Sequence, residues 1–465
     1  MKQTFDLVVV GSGPGGYIAA VRAAQLGFKT ALIEKDRLGG VCLNWGCIPT
    51  KALLRGAELA HNLRHAATFG IQCDGAVDLE QLVKHSRTVA GKLSGGIGYL
   101  MKKNGITVIE GSARVSGKCQ LAVTAGDGTL TDIAADHIVL ATGAHARELP
   151  TVRIDGEHIW GAREAMTPTH LPRRLLIIGA GAIGVEFASL YSDLGSEVTL
   201  VEALPRILPA EDADSAAFVH REFSRRGITI HTDARVESAS PGSEGVEVRF
   251  RHADERAETL TVDRVILAVG VAGNVDNLGL EDVGAHIERG FIVTDEWCRT
   301  NVVGLYAIGD VAGPPWLAHK ASHEAVLCVE KIAGLDSAHP LDADNIPGCT
   351  YSRPQVASVG LTETEAKAGG RAVKVGRFDL GANGKALAID EASGFVKTLF
   401  DSATGELLGA HMVGPEVTEQ IQGFALARSM EATEADLMRA VFPHPTLSEA
   451  MHESVLDAYD SALNQ

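Results

Sequence analysis

Two G-x-G-x-x-G turns, each set between a short apolar strand and a helix, predict an α/β protein built around two Rossmann-like dinucleotide-binding domains. A third observation agrees with them. Each turn leads through its helix to a strand that ends at a glutamate, Glu34 or Glu202, 23 positions after the first glycine of the turn. One such turn is weak evidence, because glycine-rich turns are common. Two of them with an acid at the same offset are strong evidence, and they imply two different dinucleotides.

The first unit opens with a buried strand over residues 5–10, followed by G-S-G-P-G-G at 11–16, an Ala-rich helix to about Leu26 and a strand over 29–33. Gly11 lets the chain turn sharply, Gly13 lets backbone approach a pyrophosphate, and Gly16 allows close helix–strand packing. The helix N-terminus then faces the phosphates, and Glu34 is placed to accept hydrogen bonds from a ribose.

Directly after this unit comes G-G-V-C-L-N-W-G-C-I-P-T-K at residues 39–51, the most informative stretch of the chain. Cys42 and Cys47 are five positions apart. In a regular helix that separation climbs about 7.5 Å, at or beyond the roughly 7 Å a disulfide spans. A bridge needs a locally distorted turn, and Gly46 and Pro49 permit one. The bland alternative is two structural thiols, the commoner fate of cytosolic cysteines. The flanking glycines and the terminal Lys51 favour a redox-active dithiol instead.

The second fingerprint repeats the design: a strand over 175–178, G-A-G-A-I-G at 179–184 with Gly179, Gly181 and Gly184 in the same three roles, a helix, and a strand over 197–201 ending at Glu202. A carboxylate there pairs with a ribose 2′-hydroxyl and repels a 2′-phosphate, which favours NAD over NADP. Arg206 stands close by and is the one residue that weakens this preference.

Composition sets the outer limits. A chain of 465 residues is too long for one core and should form two to four domains. Hydrophobic content of 45% with 22% charged residues is that of a soluble globular protein. The net charge of −17 argues against nucleic-acid and anionic-membrane partners. No apolar run reaches the length of a spanning helix, and residues 7–10 are too short for a secretory signal. Cys73, Cys119, Cys298, Cys328 and Cys349 are scattered without metal spacing, so no metal site is expected. This usage suits a cytoplasmic protein, or equally an organelle enzyme stripped of its transit peptide.

With these motifs in place the chain resembles, essentially end to end, the class I pyridine nucleotide-disulfide oxidoreductases, and most closely their dihydrolipoamide-oxidising branch. Besides the cysteine motif, the likeness rests on Y-A-I-G-D at 306–310 and H-P-T-L-S-E-A at 444–450. It implies that the first fingerprint binds FAD and the second NAD, with Lys51, Thr142, Gly143, Asp310, Ala318 and His319 also at the FAD site and Glu186 and Gly270 at the NAD side. It further implies an FAD-binding domain over 1–145, an NAD-binding domain over 146–272, a central domain over 273–343 and a C-terminal α+β interface domain over 344–465 that makes a homodimer. The L-A-H-K-A run at 317–321 opens a helix, apolar at Ala321, Ala325, Val329 and Ile332 and stopped by Gly334, whose dipole would favour an anionic reduced flavin. Thr362 and Glu365 form a candidate capping box.

By the same resemblance Cys42 exchanges with substrate and Cys47 lies against the flavin. His444, oriented by Glu449, is the acid–base residue, and Lys51 and Glu186 match a buried pair beside the flavin. The implied reaction passes electrons from protein-bound dihydrolipoamide to NAD+, serving a 2-oxoacid dehydrogenase or glycine cleavage complex. No lipoyl-type domain is expected before Lys2, so the lipoyl group is expected from another protein. The chain departs from the family's G-R-x-P-N pattern, with Val271 and Ala272 after Gly270. Rival readings are a sister reductase for glutathione-like or mercuric substrates, or a mainly structural flavoprotein of a multienzyme complex. The C-terminal run D-A-Y-D-S-A-L-N-Q lacks the mercuric type's cysteine pair, Glu202 disfavours the glutathione type, and intact Cys42, Cys47 and His444 argue for catalysis.

Overall fold

The computed structural model describes residues 3–73 and 76–464, which fall into two units. The first comprises Met1–Leu53, Glu80–Arg147 and Gly270–Leu341. Its frame is a seven-stranded sheet in the order β3-β2-β1-β6-β5-β4, where β1 is Gln3–Val10, β2 Thr30–Glu34, β3 Thr107–Glu110, β4 Ser112–Gly117, β5 Gln120–Thr124 and β6 Leu130–Leu140. The seventh strand is formed by residues 305–307, parallel to the end of β6. β1 is parallel to β2 and to β6, and Leu7, Val8 and Val9 on it are wholly buried. A strand covered on both faces has no polar side, so its sequence reads as one apolar run. β2 begins at Thr30 and includes Glu34, one residue later at each end than the sequence suggests.

α1 (Pro14–Gln25) packs against a helix over Ala318–Ile332. Gly15 allows the approach, since a Cβ there would sit 3.2 Å from the Ala321 carbonyl oxygen. The cysteine motif forms two helices, α2 (Gly40–Trp45) and α3 (Cys47–His65). α4 (Leu79–Lys103) has no counterpart among the expected elements. Its glycines at 91, 95, 96 and 98 argue against a helix. Burial of Ser86, Ala90, Ile97 and Met101 along one face outweighs that local cost.

The second unit comprises Leu54–Leu79, Glu148–Val269 and Asp342–Gln465. It holds a five-stranded sheet containing Arg174–Ile178, Glu197–Val201 and Thr229–His231 as parallel neighbours, with α5 (Ala182–Leu194) following the second fingerprint. A three-stranded antiparallel sheet (Ala234–Gly242, Gly245–His252, Ala257–Val262) is inserted after it. The C-terminal part is a five-stranded antiparallel sheet, from Gly348–Thr350 to Leu407–Gly414, packed against helices Val417–Ser429 and Glu449–Asp457. Phe378, Phe400, Phe424 and Met412 fill its core. The capping box forms as expected: Thr362 Oγ1 accepts the Glu365 N–H, and Glu365 accepts the Thr362 N–H. Among the described residues, no helix is long and apolar enough to cross a membrane.

Candidate active site

Both glycine turns have the same internal logic. A Cβ on Gly11 would meet the Ala141 carbonyl oxygen at 2.3 Å, and one on Gly179 the Ala268 oxygen at 2.4 Å. Gly16 and Gly184 are tighter still, with a Cβ only 1.8 and 1.9 Å from the carbonyl oxygens of Gly11 and Gly179. The middle glycines differ. Around Gly13 and Gly181 a Cβ would meet nothing within 4 Å, and each is an extended N-cap that puts no side chain on the first N–H groups of its helix. An open face lined by unclaimed N–H donors at a positive helix end fits a pyrophosphate. The residues present therefore fit a dinucleotide at both turns.

Each terminal glutamate also closes its own turn. Glu34 Oε2 accepts the Ser12 N–H at 2.9 Å and the Ser12 hydroxyl at 2.5 Å, while Oε1 accepts the N–H groups of Lys35 and Asp36. Glu202 is buried; its Oε2 accepts the Ala180 N–H at 2.6 Å and its Oε1 the Leu204 N–H at 2.9 Å. This clamp of the acid on the residue after the first glycine is invisible in the spacing, which only announces a ribose contact. Arg206 donates to the Pro209 carbonyl oxygen at 3.0 Å, so its guanidinium is committed to its own loop.

The dithiol stands against the first turn. A Cβ on Gly40 would lie 2.7 Å from the Gly13 Cα, and the Gly39 N–H donates to Ser12. The helix break expected between the cysteines sits at Gly46, with φ −151° and ψ −117°. Pro49 falls in the first turn of α3, where its missing N–H costs nothing. Cys42 is half-buried and Cys47 exposed. The Cys42 thiol is pushed up chiefly by its hydrogen bond with Cys47 and then by burial, while the nearby Lys51 ammonium pulls the other way.

Two residues to which the sequence motifs assign no role shape this loop. Asn44 Nδ2 donates to the carbonyl oxygens of Leu38 and Gly40, both at 3.0 Å, and Arg87 donates to the Asn44 carbonyl at 2.6 Å from above the Trp45 ring. Asn44 was legible only as a polar residue inside the motif, and Arg87 lies on α4, far away in sequence.

Other expected FAD-site residues converge in the same unit. Thr142 Oγ1 donates to the Asn274 carbonyl at 2.9 Å, and the Gly143 carbonyl accepts the Asn274 N–H. Asp310 is pushed up by burial, an effect Lys320 partly counters. Ala318 and His319 occupy the first turn of their helix. Lys320 and Glu324, a buried pair 2.9 Å apart, hold this region: Glu324 accepts the Gly309 N–H and Lys320 donates to the Gly313 carbonyl. Gly270 opens the last stretch of the first unit, where its carbonyl accepts the Arg147 N–H and Val271 and Ala272 pair with Ala146 and His145.

In the second unit Glu186 is buried on α5, and its Oε1 accepts the Tyr351 N–H at 2.9 Å. Lys51 and Glu186 thus fall in different units. His444 Nδ1 lies 2.9 Å from Glu449 Oε1, and the His444–Pro445 bond is cis.

Residues 5–325 match the family described as pyridine nucleotide-disulphide oxidoreductase, and residues 346–455 match its dimerisation domain. The dihydrolipoyl dehydrogenase of Zymomonas mobilis is 52% identical and that of Rhizobium etli 50% identical, each alignment covering 100% of both chains. The enzyme of that name from Bacillus subtilis is 40% identical over 100% of both chains. Among solved structures, LpdA of Mycobacterium tuberculosis superposes with a TM-score of 0.90 at 30% identity, covering 97% of this chain and 99% of that one. The HOCl-induced flavoprotein disulfide reductase RclA of Escherichia coli, as its Cu(II) complex, gives 0.88 at 26% identity over 98% and 99%. Two fingerprints, the dithiol between them and full-length likeness at this level place the chain in the pyridine nucleotide-disulphide oxidoreductase family, with that family's dimerisation domain at its C-terminal end.

Proposed function

We propose that this FAD- and NAD-dependent oxidoreductase oxidises protein-bound dihydrolipoyl groups to the cyclic disulfide, with NAD+ as the final acceptor. The observation that carries the reading is the close Cys42–Cys47 pair at α2 and α3, with Gly39 and Gly40 just ahead of it packed on the first dinucleotide turn. In the oxidised enzyme the two cysteines form a disulfide. A dihydrolipoyl thiolate attacks the Cys42 sulfur, breaking the Cys42–Cys47 bond and releasing Cys47 as the thiolate. The second lipoyl thiol then displaces Cys42, so the substrate leaves as disulfide and the enzyme keeps two electrons as a dithiol. His444 takes the proton of the attacking thiol, because only the thiolate is an effective nucleophile. Bound FAD supplies the two-electron link from the dithiol to the nicotinamide.

Several residues serve this role from a distance. Asn44 and Arg87 hold α2 and with it Cys42; Lys51 steadies negative charge there. Glu202 selects NAD+ through the ribose. In the homodimer the His444–Glu449 pair serves the dithiol of the partner subunit. The lipoyl group arrives on another protein, within a 2-oxoacid dehydrogenase or glycine cleavage complex, and the cytoplasm is the compartment that suits seven cysteines without secretory framework. Anaerobic titration with dihydrolipoamide tests the reading. Full reduction followed by NADH formation on adding NAD+, with little on adding NADP+, is expected. No reduction by the dithiol, or equal use of NADP+, overturns it.

A further inference from the structure

His231, His252 and Glu258 come from three different strands of the second unit, and each contributes an imidazole nitrogen or carboxylate oxygen to a group whose atoms all lie within 4.8 Å of one another. His252 Nε2 is 3.0 Å from Glu258 Oε2. The frame is rigid. His252 ends one strand, a tight turn closed by the Glu255 N–H on the His252 carbonyl follows, and Glu258 stands on the returning strand. The fully buried Phe250 ring supports both imidazoles, with centroids 4.9 Å from His231 and 5.3 Å from His252. All three side chains are half-buried, so they are sheltered yet reachable from solvent.

We propose that these three residues form a binding site for a divalent transition-metal ion of the Zn2+ class. Two imidazoles with one carboxylate are borderline donors that suit Zn2+, Ni2+ or Cu2+, whereas Mg2+ and Ca2+ demand mostly oxygen. Metal–ligand bonds of about 2.0–2.2 Å need donor atoms a little over 3 Å apart. The His252–Glu258 pair already meets that spacing, and rotation of the His231 ring supplies the third donor. Three protein donors leave a fourth position open to water. The competing cation is Arg256, whose Nη1 lies 3.0 Å from the same Glu258 oxygen on a side chain 59% exposed. It must swing away when metal enters. Arg251 and Arg249 are engaged with Glu237.

Equilibrium dialysis of the FAD-loaded, disulfide-oxidised enzyme against Zn2+ tests the site, because oxidation removes the Cys42 and Cys47 thiolates as rival ligands. One Zn2+ per chain is expected. His252→Ala and His231→Ala should each weaken it by at least the roughly 10- to 100-fold lost when a ligand's supporting group is removed. Arg256→Ala should tighten it by about 2- to 5-fold, the worth of an exposed ion pair. Unchanged FAD content and metal-free melting of each variant show that the fold is intact. Stoichiometric Zn2+ that survives both histidine changes, or no Zn2+ on the wild-type enzyme at micromolar concentrations, overturns the proposal. So does Arg256→Ala weakening the affinity.

Discussion

Glu449 Oε1 lies 2.9 Å from His444 Nδ1, while Glu449 Oε2 accepts the Thr446 N–H at 2.8 Å. Burial tends to raise the Glu449 carboxyl, but the Thr446 N–H and then His444 outweigh it and hold it below the usual range. The carboxylate is therefore ionised at neutral pH and can only accept, which makes Nδ1 the donor and leaves Nε2 as the ring's acceptor. Because its folded-state pKa is depressed, this clamp persists above the ordinary glutamate pKa and is lost only as pH falls below it.

His444→Gln should lower dihydrolipoamide turnover by about 10²- to 10⁴-fold, the usual worth of a positioned base. NADH oxidation by an acceptor that draws electrons directly from the flavin should survive, as should FAD content and dimer size. Glu449→Gln should show a milder loss. Equal loss of both activities in His444→Gln would mark a structural residue instead.

Cys42→Ser should leave Cys47 as a thiolate outside any disulfide and give a long-wavelength absorbance band against oxidised FAD before any reductant is added. Cys47→Ser should abolish that band. Absorbance spectra of the two variants decide, and a band retained only in Cys47→Ser reverses the two roles.

The two kinds of fingerprint glycine should fail differently. Gly13→Ala meets no protein atom, so the chain should fold but bind FAD poorly, since the methyl occupies the phosphate face. Gly181→Ala should raise KM for NAD+ while FAD content and Tm stay unchanged. Gly16→Ala, whose Cβ falls 1.8 Å from the Gly11 oxygen, should prevent folding of the first unit. Flavin content and circular dichroism separate these outcomes.

Glu202→Ala should raise KM for NAD+ and narrow the preference over NADP+. It should also destabilise the second unit by about 1–3 kcal/mol, because the buried Ala180 N–H loses its acceptor. Steady-state kinetics together with thermal melting read both effects.

Lys397 is buried and salt-bridged to Asp212 at 2.9 Å and to Asp214 and Glu363 at 2.7 Å. Removing it strands the buried Asp212, and Lys397→Met should cost about 3–5 kcal/mol in denaturant melts. Burial opposes ionisation of Asp212, yet His411 and Lys397 win and depress it; the Lys367 and Lys397 hydrogen bonds depress Glu363. Carboxyls depressed on folding stabilise above their unfolded pKa and lose that contribution as pH falls through the folded one. The wild type should therefore lose stability below about pH 4, and Lys397→Met should flatten that acid limb.

What the amino-acid order determined alone was everything carried by short spacing. The two glycine turns, the acids 23 positions on, the Gly46 break and the Thr362 box follow from what backbone permits over a few residues. What only the tertiary structure decided was which distant groups meet. The clamp of Glu34 on Ser12, the hold of Arg87 on Asn44, the Lys397 cluster and the His231–His252–Glu258 group join residues whose separation carries no local signal. Long α4 shows the same division in reverse: its glycines speak against a helix, and burial of one face against the rest of its unit overrides them.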